Sequence, residues 1–465
     1  MKTILLVCSI ILCTQSLVAD TMERKHNIFG TDGIRRSIGT YPFTLDALPQ
    51  LGSAIARWAE QKYGNNPTIL LGHDTRLSCD FVKSGLKFGL LRHGVTLYDA
   101  GVLSTPAVCF LTKNHSLFDC GIVISASHNI HTDNGIKIID GNNIKLTLED
   151  EQQISALFDN DAEQPVLYTN LGKQECWDKG EQEYIDQIVG LYPRHFLQGY
   201  TIVLDCAHGS TYKLAPRIFK RCGARVISLH KHPNGENINH HCGSQHPETL
   251  QQTVLAYKAI AGFAFDGDGD RVIAVNKHGE VKDGDDIIAL LLEHPQYMDQ
   301  QYIVGTIMTN EGLNVFLQEK NKHLLRTPVG DKYVAQKLDD IKASLGGEQS
   351  GHTILRDYLK TGDGIMTALR VMETIISTNN TTMRTFTHYP QKLINIPIKE
   401  KKDLTQEPLA SIIKKYEKQL QKGRIEVRYS GTEYCARVMV EDIDAETTQR
   451  IAHNLAQELQ TALTT

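Results

Sequence analysis

Short apolar runs alternate with amphipathic stretches along most of this chain, a pattern that predicts strands followed by helices. Residues 68–71 form an apolar run that stops at Gly72, and an amphipathic stretch covers residues 80–93. Residues 95–98 and the β-branched run at residues 121–124 continue the alternation. Strands alternating with helices are typical of α/β domains, so the first part of the chain is predicted to fold as one.

The same alternation returns in two further segments before the chain changes character. Strand-like runs lie at residues 201–204, 225–229 and 261–265 in the second segment, and at residues 302–307 in the third. Each segment carries a polar loop with groups suited to chemistry, which indicates an internal structural repeat. The C-terminal part differs, because two strand-like runs there precede one amphipathic stretch at residues 444–463.

Composition and charge describe a globular protein and exclude some classes of partner. The 465 residues are 41% hydrophobic and 22% charged, and a chain of this length requires several domains. The formal net charge of -5 provides no positive field for a nucleic acid or an anionic membrane, so we expect neither as a partner. Any anionic ligand would therefore be held by local basic residues.

Cysteine spacing and the N-terminus bear on the cellular compartment. The ten cysteines contain no C-x-x-C pair, which favours reduced thiols in the cytoplasm over a zinc module or a redox dithiol. Residues 1–20 have the outline of a secretory signal, but Leu17 occupies a position where a small residue is required. We therefore predict a cytoplasmic protein that starts at Met22, with residues 1–21 an artefact of start-site assignment.

A small-residue loop follows the strand predicted at residues 121–124 and offers a nucleophile at the strand's carboxyl end. Ser127 in this loop is followed directly by His128, and Lys137 lies further along the chain. A hydroxyl that carries a phosphoryl group would thus have proton-transfer groups near it in sequence. An ordinary turn remains the alternative, because serine is common in polar turns.

DGDGDR at residues 266–271 places three carboxylates at alternate positions, with glycines that allow a tight turn around a small ion. Hard oxygen ligands at this spacing predict a Mg²⁺ site on Asp266, Asp268 and Asp270. A calcium EF-hand is excluded, because Arg271 stands where that loop requires glycine. An aspartyl-phosphate phosphatase and an acidic surface turn remain open as alternatives.

Two further glycine-containing loops carry groups that bind hydroxyls and phosphate. GEQSGH at residues 347–352 supplies a carboxylate, an amide, a hydroxyl and an imidazole, a set suited to sugar hydroxyls. RYSGTE at residues 428–433 combines a guanidinium, hydroxyls and exposed backbone N–H groups, as a phosphate-binding loop does. Taken singly, each also has an ordinary structural explanation.

The histidine-rich segment at residues 229–248 lacks paired metal ligands and is predicted to be a surface loop without a metal.

Five motifs in one order resemble the α-D-phosphohexomutase family: FGTDGIRR from Phe29, SASHN from Ser125, DGDGDR from Asp266, GEQSGH from Gly347 and RYSGTE from Arg428. The resemblance covers essentially the whole chain from Met22 and is strongest to the phosphoglucosamine mutase branch. It implies an α/β fold with three similar α/β domains with mixed sheets and a smaller C-terminal α+β domain, all around one central cleft. The corresponding ranges are residues 22–165, 174–280, 283–385 and 390–465.

The resemblance also implies a reaction, namely the interconversion of glucosamine 6-phosphate and glucosamine 1-phosphate through a phosphoserine and a bisphosphate. The expected cofactor is Mg²⁺, and glucosamine 1,6-bisphosphate or glucose 1,6-bisphosphate is the expected activator. A mutase for glucose or mannose phosphates is the nearest alternative, and a non-catalytic sugar-phosphate-binding protein is another.

Individual roles follow from the same resemblance. Ser127 matches the phosphoserine, and with Asp266, Asp268 and Asp270 it matches the ligands of the metal. The residues that match positions around the reacting phosphate are Arg35, His128, Lys137 and Arg271, with His128 or Lys137 moving the proton. The residues that match the sugar loop and the site of the non-reacting phosphate are Glu348, Ser350, His352, Arg428, Ser430, Gly431 and Thr432.

Three departures from the family pattern leave every reacting group in place. Arg36 stands where the family has glycine, and Ile130 and Tyr434 stand where it has proline. Arg36 adds bulk, and Ile130 frees a constrained backbone angle next to residues 125–129, here termed the serine loop. Both changes are therefore expected to affect catalytic efficiency rather than the chemistry.

Overall fold

The computed structural model describes residues 28–30, 32–141, 145–160, 168–430 and 434–464. Four separate sheets hold these residues together, with six, five, four and three strands in chain order. The signal-like residues 1–21 lie outside the described residues, as do Gly431 and Thr432 of the predicted site. In the described ranges, no helix combines the length and the apolar character that crossing a bilayer would require.

The first sheet is mixed and contains the strand that leads to Ser127. Its elements are β1 Ile34–Ser37, α1 Ala47–Tyr63, β2 Thr68–His73, α2 Cys79–Arg92, β3 Thr96–Val102, α3 Thr105–Asn114, β4 Cys120–Ile124, β5 Asp133–Asp140, α4 Leu148–Asp159 and β6 Lys173–Cys176. In the order β1-β5-β4-β2-β3-β6, the last four strands are parallel and β5 is antiparallel to both neighbours. Strand alternation sends Leu70 to one face of the sheet, and Ile69 and Leu71 to a second core under α1 and α2.

The second and third sheets are also mixed. Elements of the second are α5 Gly180–Gly190, β7 Thr201–Asp205, α6 Thr211–Arg221, β8 Arg225–Leu229, α7 Glu248–Tyr257, β9 Ala261–Phe265, β10 Val272–Asn276 and β11 Val281–Lys282. Elements of the third are α8 Gly284–Leu291, β12 Tyr302–Thr306, α9 Glu311–Glu319, β13 His323–Thr327, α10 Asp331–Ile341, β14 Leu345–Gly347, β15 Thr353–Leu355 and α11 Gly364–Thr378.

One topology is repeated in these three sheets. The spatial orders are β5-β4-β2-β3, β10-β9-β7-β8 and β15-β14-β12-β13, and in each case the two strands named first are antiparallel. The loop with chemical groups always connects those two antiparallel strands. The internal structural repeat predicted from the sequence is therefore present. A continuous core that includes Leu70, Phe263 and Ile303 joins all three sheets, so close packing holds the three loops in a fixed relation.

The C-terminal sheet is smaller and entirely antiparallel. Its elements are β16 Gln391–Pro397, α12 Leu409–Glu417, β17 Arg424–Tyr429, β18 Cys435–Glu441 and α13 Ala445–Thr464, in the strand order β16-β18-β17. It has a hydrophobic core of its own, built around Val438, Ile451 and Leu455. The predicted class of three similar α/β domains with a smaller α+β domain is confirmed. The domain borders drawn from the sequence stay predictions.

Candidate active site at the junction of three domains

Ser127 follows β4 and is fully buried, with a left-handed φ of 53°. Its Oγ donates a 2.6 Å hydrogen bond to Oδ2 of Asp266 and lies 3.4 Å from Nδ1 of His128. Serine seldom adopts this backbone conformation, so the surrounding structure has to hold it there. The fold thus brings the candidate nucleophile, an imidazole and the acidic loop of the second domain into contact.

Arg76 and Asn239 hold the backbone of the serine loop by its carbonyl groups. Nη2 of Arg76 donates to the carbonyl oxygens of Ser127 at 3.1 Å and of Asn129 at 2.7 Å. Nδ2 of Asn239 donates to the same two oxygens at 2.8 and 2.9 Å. Asp74 fixes the side chain of Arg76, because its Oδ2 accepts a 2.9 Å hydrogen bond from Nε of Arg76. Two donors from two domains therefore stabilise the strained conformation of Ser127.

The prediction of a surface loop for the histidine-rich segment is partly wrong. Ile238, Asn239 and Cys242 in this segment are buried, because the segment packs against the serine loop and the end of β7. His230 and Cys242 form with Asp205 a group whose potential ligand atoms lie within 4.8 Å of one another. Asp205 also accepts two backbone N–H groups, which is the role of a residue that closes a loop.

Removing the Asn239 side chain tests its support of the serine loop. We expect Asn239→Ala to lower kcat about tenfold, because the serine loop loses two positioning hydrogen bonds, one at Ser127 and one at Asn129, while KM changes little. Steady-state kinetics and thermal unfolding of the same preparations measure this. Asn276→Ala is the matched control, since Asn276 is a fully buried asparagine of the same domain whose side chain bonds Glu280 and Thr382. Equal losses of kcat in both variants would contradict a specific role.

Three carboxylates converge opposite Ser127 in the loop at residues 266–271, here termed the metal loop. They are Asp266, Asp268 and Asp270, exposed by 0%, 0% and 1%, and their ligand atoms lie within 4.8 Å of one another. The two glycines between them serve different ends. Gly269 adopts a φ of 75°, and a Cβ at Gly267 would lie 2.5 Å from the carbonyl oxygen of Ser127. Gly269 therefore makes the turn, and Gly267 allows the metal loop to touch the serine loop.

The metal loop fits a hard divalent cation. Burial, followed by the neighbouring Asp270 and Asp268, raises the pKa of Asp266 to about 8. Oδ1 of Asp268 is buried and accepts no hydrogen bond from any residue that the structure describes. Converging oxygens with an unused buried acceptor suit Mg²⁺, whose charge would offset the repulsion among the carboxylates.

Lys137 lies against the metal loop as a buried cation. Its Nζ is 2.7 Å from Oδ2 of Asp268 and 2.7 Å from Oδ2 of Asp270. Burial alone would lower the pKa of Lys137, but Asp268, Asp270 and Asp32 together raise it well above its usual value. Lys137 therefore stays charged at neutral pH.

The pKa of His128 is shifted in the opposite direction to that of Lys137. Burial, and then the positive charges of Arg271 and Arg35, lower the pKa of His128 to about 3. Arg271 lies 3.9 Å from Asp270, and the guanidinium of Arg35 pairs with Asp32. The ring of His128 is thus neutral at physiological pH, and the positive charges of Arg271 and Arg35 oppose its protonation.

The loop at residues 347–352 of the third domain, here termed the sugar loop after its predicted role, contacts the metal loop through His352. Glu348 is buried, and its Oε1 accepts a 3.0 Å hydrogen bond from the backbone N–H of Gly330, whereas Ser350 is exposed. His352 is buried between Asp331 at 3.0 Å and Asp270 at 3.5 Å. The loop therefore offers a hydroxyl at its surface and a carboxylate beneath it, while its imidazole contacts the metal loop.

The C-terminal domain contributes positive charge. Arg428 on β17 is paired across the sheet with Arg437, and burial followed by Arg437 lowers the pKa of Arg428. Ser430 is buried, and its carbonyl oxygen accepts a 3.1 Å hydrogen bond from Nζ of Lys401. Residues 431–433, which include Gly431 and Thr432, lie outside the described part of the chain. Adjacent guanidinium groups near a turn suit a phosphate.

Several residues around the serine loop and the metal loop were missed from the sequence. Thr105 Oγ1 donates to Asp268 Oδ2 at 2.5 Å, and Asp32 and Lys145 lie in the ion pairs around Lys137. The signal available for Asp32 was its place inside FGTDGIRR, and for Thr105 its place after a strand end. Lys145 had no local signal.

The three departures from the family pattern lie at the surface. Arg36 is exposed on β1, and its Nη1 donates to the carbonyl oxygen of Arg35 at 2.7 Å. Ile130 is 52% exposed and Tyr434 is 71% exposed. The crowding expected from Arg36 is therefore absent, because its side chain extends into solvent.

Family models describe the chain in four consecutive parts. They are the phosphoglucomutase/phosphomannomutase alpha/beta/alpha domain I at residues 26–165, domain II at residues 182–279, domain III at residues 283–393 and the C-terminal domain at residues 393–458. The order and extent of these matches cover most of the chain.

Relatives and solved structures agree with the family models. The phosphoglucosamine mutase of Syntrophus aciditrophicus is 40% identical over 440 residues, which cover 92% of this chain and 98% of that protein. The phosphoglucosamine mutase of Acinetobacter baylyi is 41% identical over 443 residues, which cover 93% of this chain and 99% of that protein.

Two solved structures show the same fold. A phosphoglucomutase/phosphomannomutase family protein from Burkholderia thailandensis has a TM-score of 0.78 at 24% identity, covering 94% of this chain and 97% of that chain. The N-acetylphosphoglucosamine mutase of Aspergillus fumigatus, solved with GlcNAc-6P and magnesium, has a TM-score of 0.66 at 16% identity, covering 94% of this chain and 96% of that chain. With all four domains matched in order and relatives aligned over nearly its whole length, this chain belongs to the phosphoglucomutase/phosphomannomutase family and, within it, to the phosphoglucosamine mutases, which are isomerases.

Proposed function

We propose that this protein interconverts glucosamine 6-phosphate and glucosamine 1-phosphate, with Ser127 as the phosphorylated nucleophile and a bisphosphate as the intermediate. The observation that carries the proposal is the 2.6 Å contact of Ser127 Oγ with Asp266, inside a buried group of three carboxylates. Relatives aligned over nearly the whole chain bear the name phosphoglucosamine mutase, which supports an aminosugar as the substrate.

In each half-reaction the phosphoryl group moves between Ser127 Oγ and a hydroxyl of the sugar. In the first, the sugar oxygen bonds to phosphorus as the bond from phosphorus to Oγ breaks, and the proton of the sugar hydroxyl passes to a base, which returns it to Oγ. The second runs these changes in reverse at the other phosphate. We assign His128 as that base, because its Nδ1 lies 3.4 Å from Oγ and the negative charge of a phosphoryl group would offset the arginines that lower its pKa. Lys137, which stays charged, would instead neutralise the transferring group together with Arg35 and Arg271.

Asp266, Asp268 and Asp270, with the phosphorylated Ser127, would hold Mg²⁺, which when bound supplies charge neutralisation at the phosphoryl group. The Aspergillus structure that shares this fold was solved with magnesium, which agrees with that cofactor. The metal loop itself contributes the converging oxygens, and Thr105 orients one of them.

The second half-reaction requires the bisphosphate to present its other phosphate to Ser127. Sites away from the serine must then hold the same sugar in two orientations. We assign the sugar hydroxyls to Glu348 and Ser350, with His352 beside them, and the non-reacting phosphate to residues Arg428, Ser430, Gly431 and Thr432. A bisphosphate that escapes leaves Ser127 without its phosphate, so glucosamine 1,6-bisphosphate or glucose 1,6-bisphosphate would be needed to reload it.

We also propose a cytoplasmic location. Seven cysteines of the described ranges form no disulfide, which fits a reducing compartment: Cys79, Cys109, Cys120, Cys176, Cys206, Cys222 and Cys242. Fractionation followed by thiol labelling before and after reduction measures both points.

A coupled assay on the purified protein tests the reaction itself. With glucosamine 6-phosphate, Mg²⁺ and a trace of glucose 1,6-bisphosphate, we expect glucosamine 1-phosphate to form with no release of inorganic phosphate. Stoichiometric release of inorganic phosphate would favour the phosphatase alternative, in which Asp266 carries the phosphoryl group.

Substrate choice is a separate prediction. The carboxylate of Glu348 adds negative potential to the cleft, which favours the ammonium group of an aminosugar over a neutral hydroxyl. We expect kcat/KM for glucosamine phosphate to exceed that for glucose or mannose phosphate by at least about tenfold, or about 1.4 kcal/mol. Competition kinetics with paired substrates measure the ratio.

The variant Glu348→Gln is matched in shape and keeps the acceptor for Gly330. It should reduce the preference for the aminosugar more than it reduces turnover of glucose phosphate. Equal or better use of glucose or mannose phosphate by the unaltered protein would replace the sugar assignment and leave the phosphoserine mechanism in place.

A further inference from the structure

Six charged side chains form a closed ring that joins the serine domain, the metal loop and the sugar loop. In order around the ring they are Lys137, Asp32, Lys145, Asp331, His352 and Asp270, and Asp270 returns to Lys137. Basic and acidic groups alternate at every step. The first domain supplies three members, the metal loop one and the third domain two, so the ring spans the contact between three domains.

The contacts of the ring are close. The separations are 3.1 Å from Nζ of Lys137 to Asp32, 3.0 Å from Nε2 of His352 to Asp331, 3.5 Å from Nδ1 of His352 to Asp270 and 2.7 Å from Nζ of Lys137 to Asp270. Lys145 pairs with both Asp32 and Asp331.

All members of the ring are buried or nearly so. Lys137, Asp270, Asp331 and His352 are exposed by 2%, 1%, 5% and 1%. Charges in such surroundings are weakly screened, and the loss of one leaves its two neighbours uncompensated. A change at Asp331 or Lys145 must therefore be felt at Asp270, although neither residue is a candidate ligand of the metal.

We propose that Asp331 and Lys145 are positioning residues that tune, in opposite directions, the affinity of the metal loop for its divalent cation. This inference rests on the proposed function of the metal loop and adds two residues to it. Asp331 acts through His352, which also contacts Asp270, and Lys145 acts through Asp32 and then Lys137.

Asp331 draws His352 away from Asp270. Without the charge of Asp331, the imidazole of His352 has only Asp270 as an anionic neighbour. It then competes with the cation for the carboxylate of Asp270. The affinity for Mg²⁺ should fall.

Lys145 balances Asp32. Without the charge of Lys145, Asp32 draws Lys137 toward itself and away from Asp268 and Asp270. Less competition remains at the metal loop, so the affinity for Mg²⁺ should rise. Lys137 is then displaced from the transferring phosphoryl group, so kcat should fall in this variant too.

Calorimetric titration of the full-length protein with MgCl₂ measures the affinity without reference to activity. We expect the Kd for Mg²⁺ to rise about fivefold in Asp331→Asn and to fall about threefold in Lys145→Met. The double variant should return toward the original value, because the two missing charges have opposite signs. Lys145→Arg keeps the charge and should keep the affinity.

The matched control is Lys83→Met. Lys83 pairs with Asp99 at 3.0 Å in the first domain, and in the described residues no ion pair joins either of them to the ring. Its loss should leave the Kd for Mg²⁺ unchanged. Changes of the same sign in Asp331→Asn and Lys145→Met, or changes no larger than that of the control, would overturn the proposal.

The experiments distinguish a failure of the ring proposal from a failure of the proposed mutase reaction. If the unaltered protein binds Mg²⁺ and the two variants shift its Kd in opposite directions, the ring is supported even when no phosphosugar turns over. If turnover occurs but both variants bind Mg²⁺ as the unaltered protein does, the ring proposal alone fails.

Discussion

Ser127→Ala is expected to abolish mutase turnover, with a loss of at least about 10⁴-fold in kcat. The alanine cannot carry a phosphoryl group, and no other hydroxyl is described in contact with Asp266. Thermal stability should change little, because the buried hydroxyl makes only one close hydrogen bond to the metal loop. Kinetics with a coupled assay, together with phosphopeptide mapping of the unaltered protein, measure both effects.

The control for this variant is Ser155→Ala. Ser155 is a buried serine on α4 whose hydroxyl donates to the carbonyl oxygen of Glu151, away from the metal loop. Its loss should leave kcat unchanged. A phosphate mapped to Asp266 instead of Ser127 would contradict the phosphoserine mechanism and favour the phosphatase alternative.

Asp268→Asn is expected to lower kcat by at least about 10³-fold and to weaken Mg²⁺ binding. The substitution removes one of three converging anionic ligands and one of the carboxylates that hold Lys137. EDTA should inactivate the unaltered protein, and added MgCl₂ should restore it. Titration with Mg²⁺ and steady-state kinetics on both proteins give the two quantities.

Asp150→Asn separates this effect from a loss of stability. Asp150 is a buried carboxylate of the first domain that accepts a 2.9 Å hydrogen bond from Trp58 and pairs with Lys62. Its replacement should lower the melting temperature without a loss of kcat. Full activity of Asp268→Asn, or activity that resists EDTA, would rule out the metal loop as the cation site.

The two predictions share a physical basis in the burial and the charges of the groups around Ser127 and the metal loop. Burial leaves His128 neutral while the surrounding carboxylates keep Lys137 charged. A neutral imidazole therefore lies 3.4 Å from the Ser127 hydroxyl, and a fixed positive charge lies 2.7 Å from Asp268 and Asp270. This difference in environment is the reason for proposing different roles for His128 and Lys137, which the sequence left interchangeable.

The elements that carry chemistry could be predicted from local sequence. The strands before Ser127 and before Asp266 are short apolar runs, and each loop follows directly, so periodicity alone located them. The three carboxylates of the metal loop lie within five residues of one another, and their spacing was sufficient to suggest a cation. Even the structural repeat was indicated by recurring patterns of strand, loop and helix.

The supports of the site could not be predicted in that way. Asn239 and Ser127 are separated by 112 residues, and Asn239 lies in a segment whose composition indicated only a polar loop. Lys145 and Asp331 belong to different domains and became partners through the packing of those domains. Periodicity and motif spacing report on neighbours along the chain, and they carry no information on pairs that form across a domain contact.

The sequence by itself therefore determined which groups are available for phosphoryl transfer and on which loops they lie, because those properties depend on local patterns of apolar and polar residues. Only the tertiary structure decided which of them touch and which are charged. Contact between Ser127 and Asp266 requires two sheets to pack in one orientation, and the charge states of His128 and Lys137 depend on burial and on carboxylates from another domain.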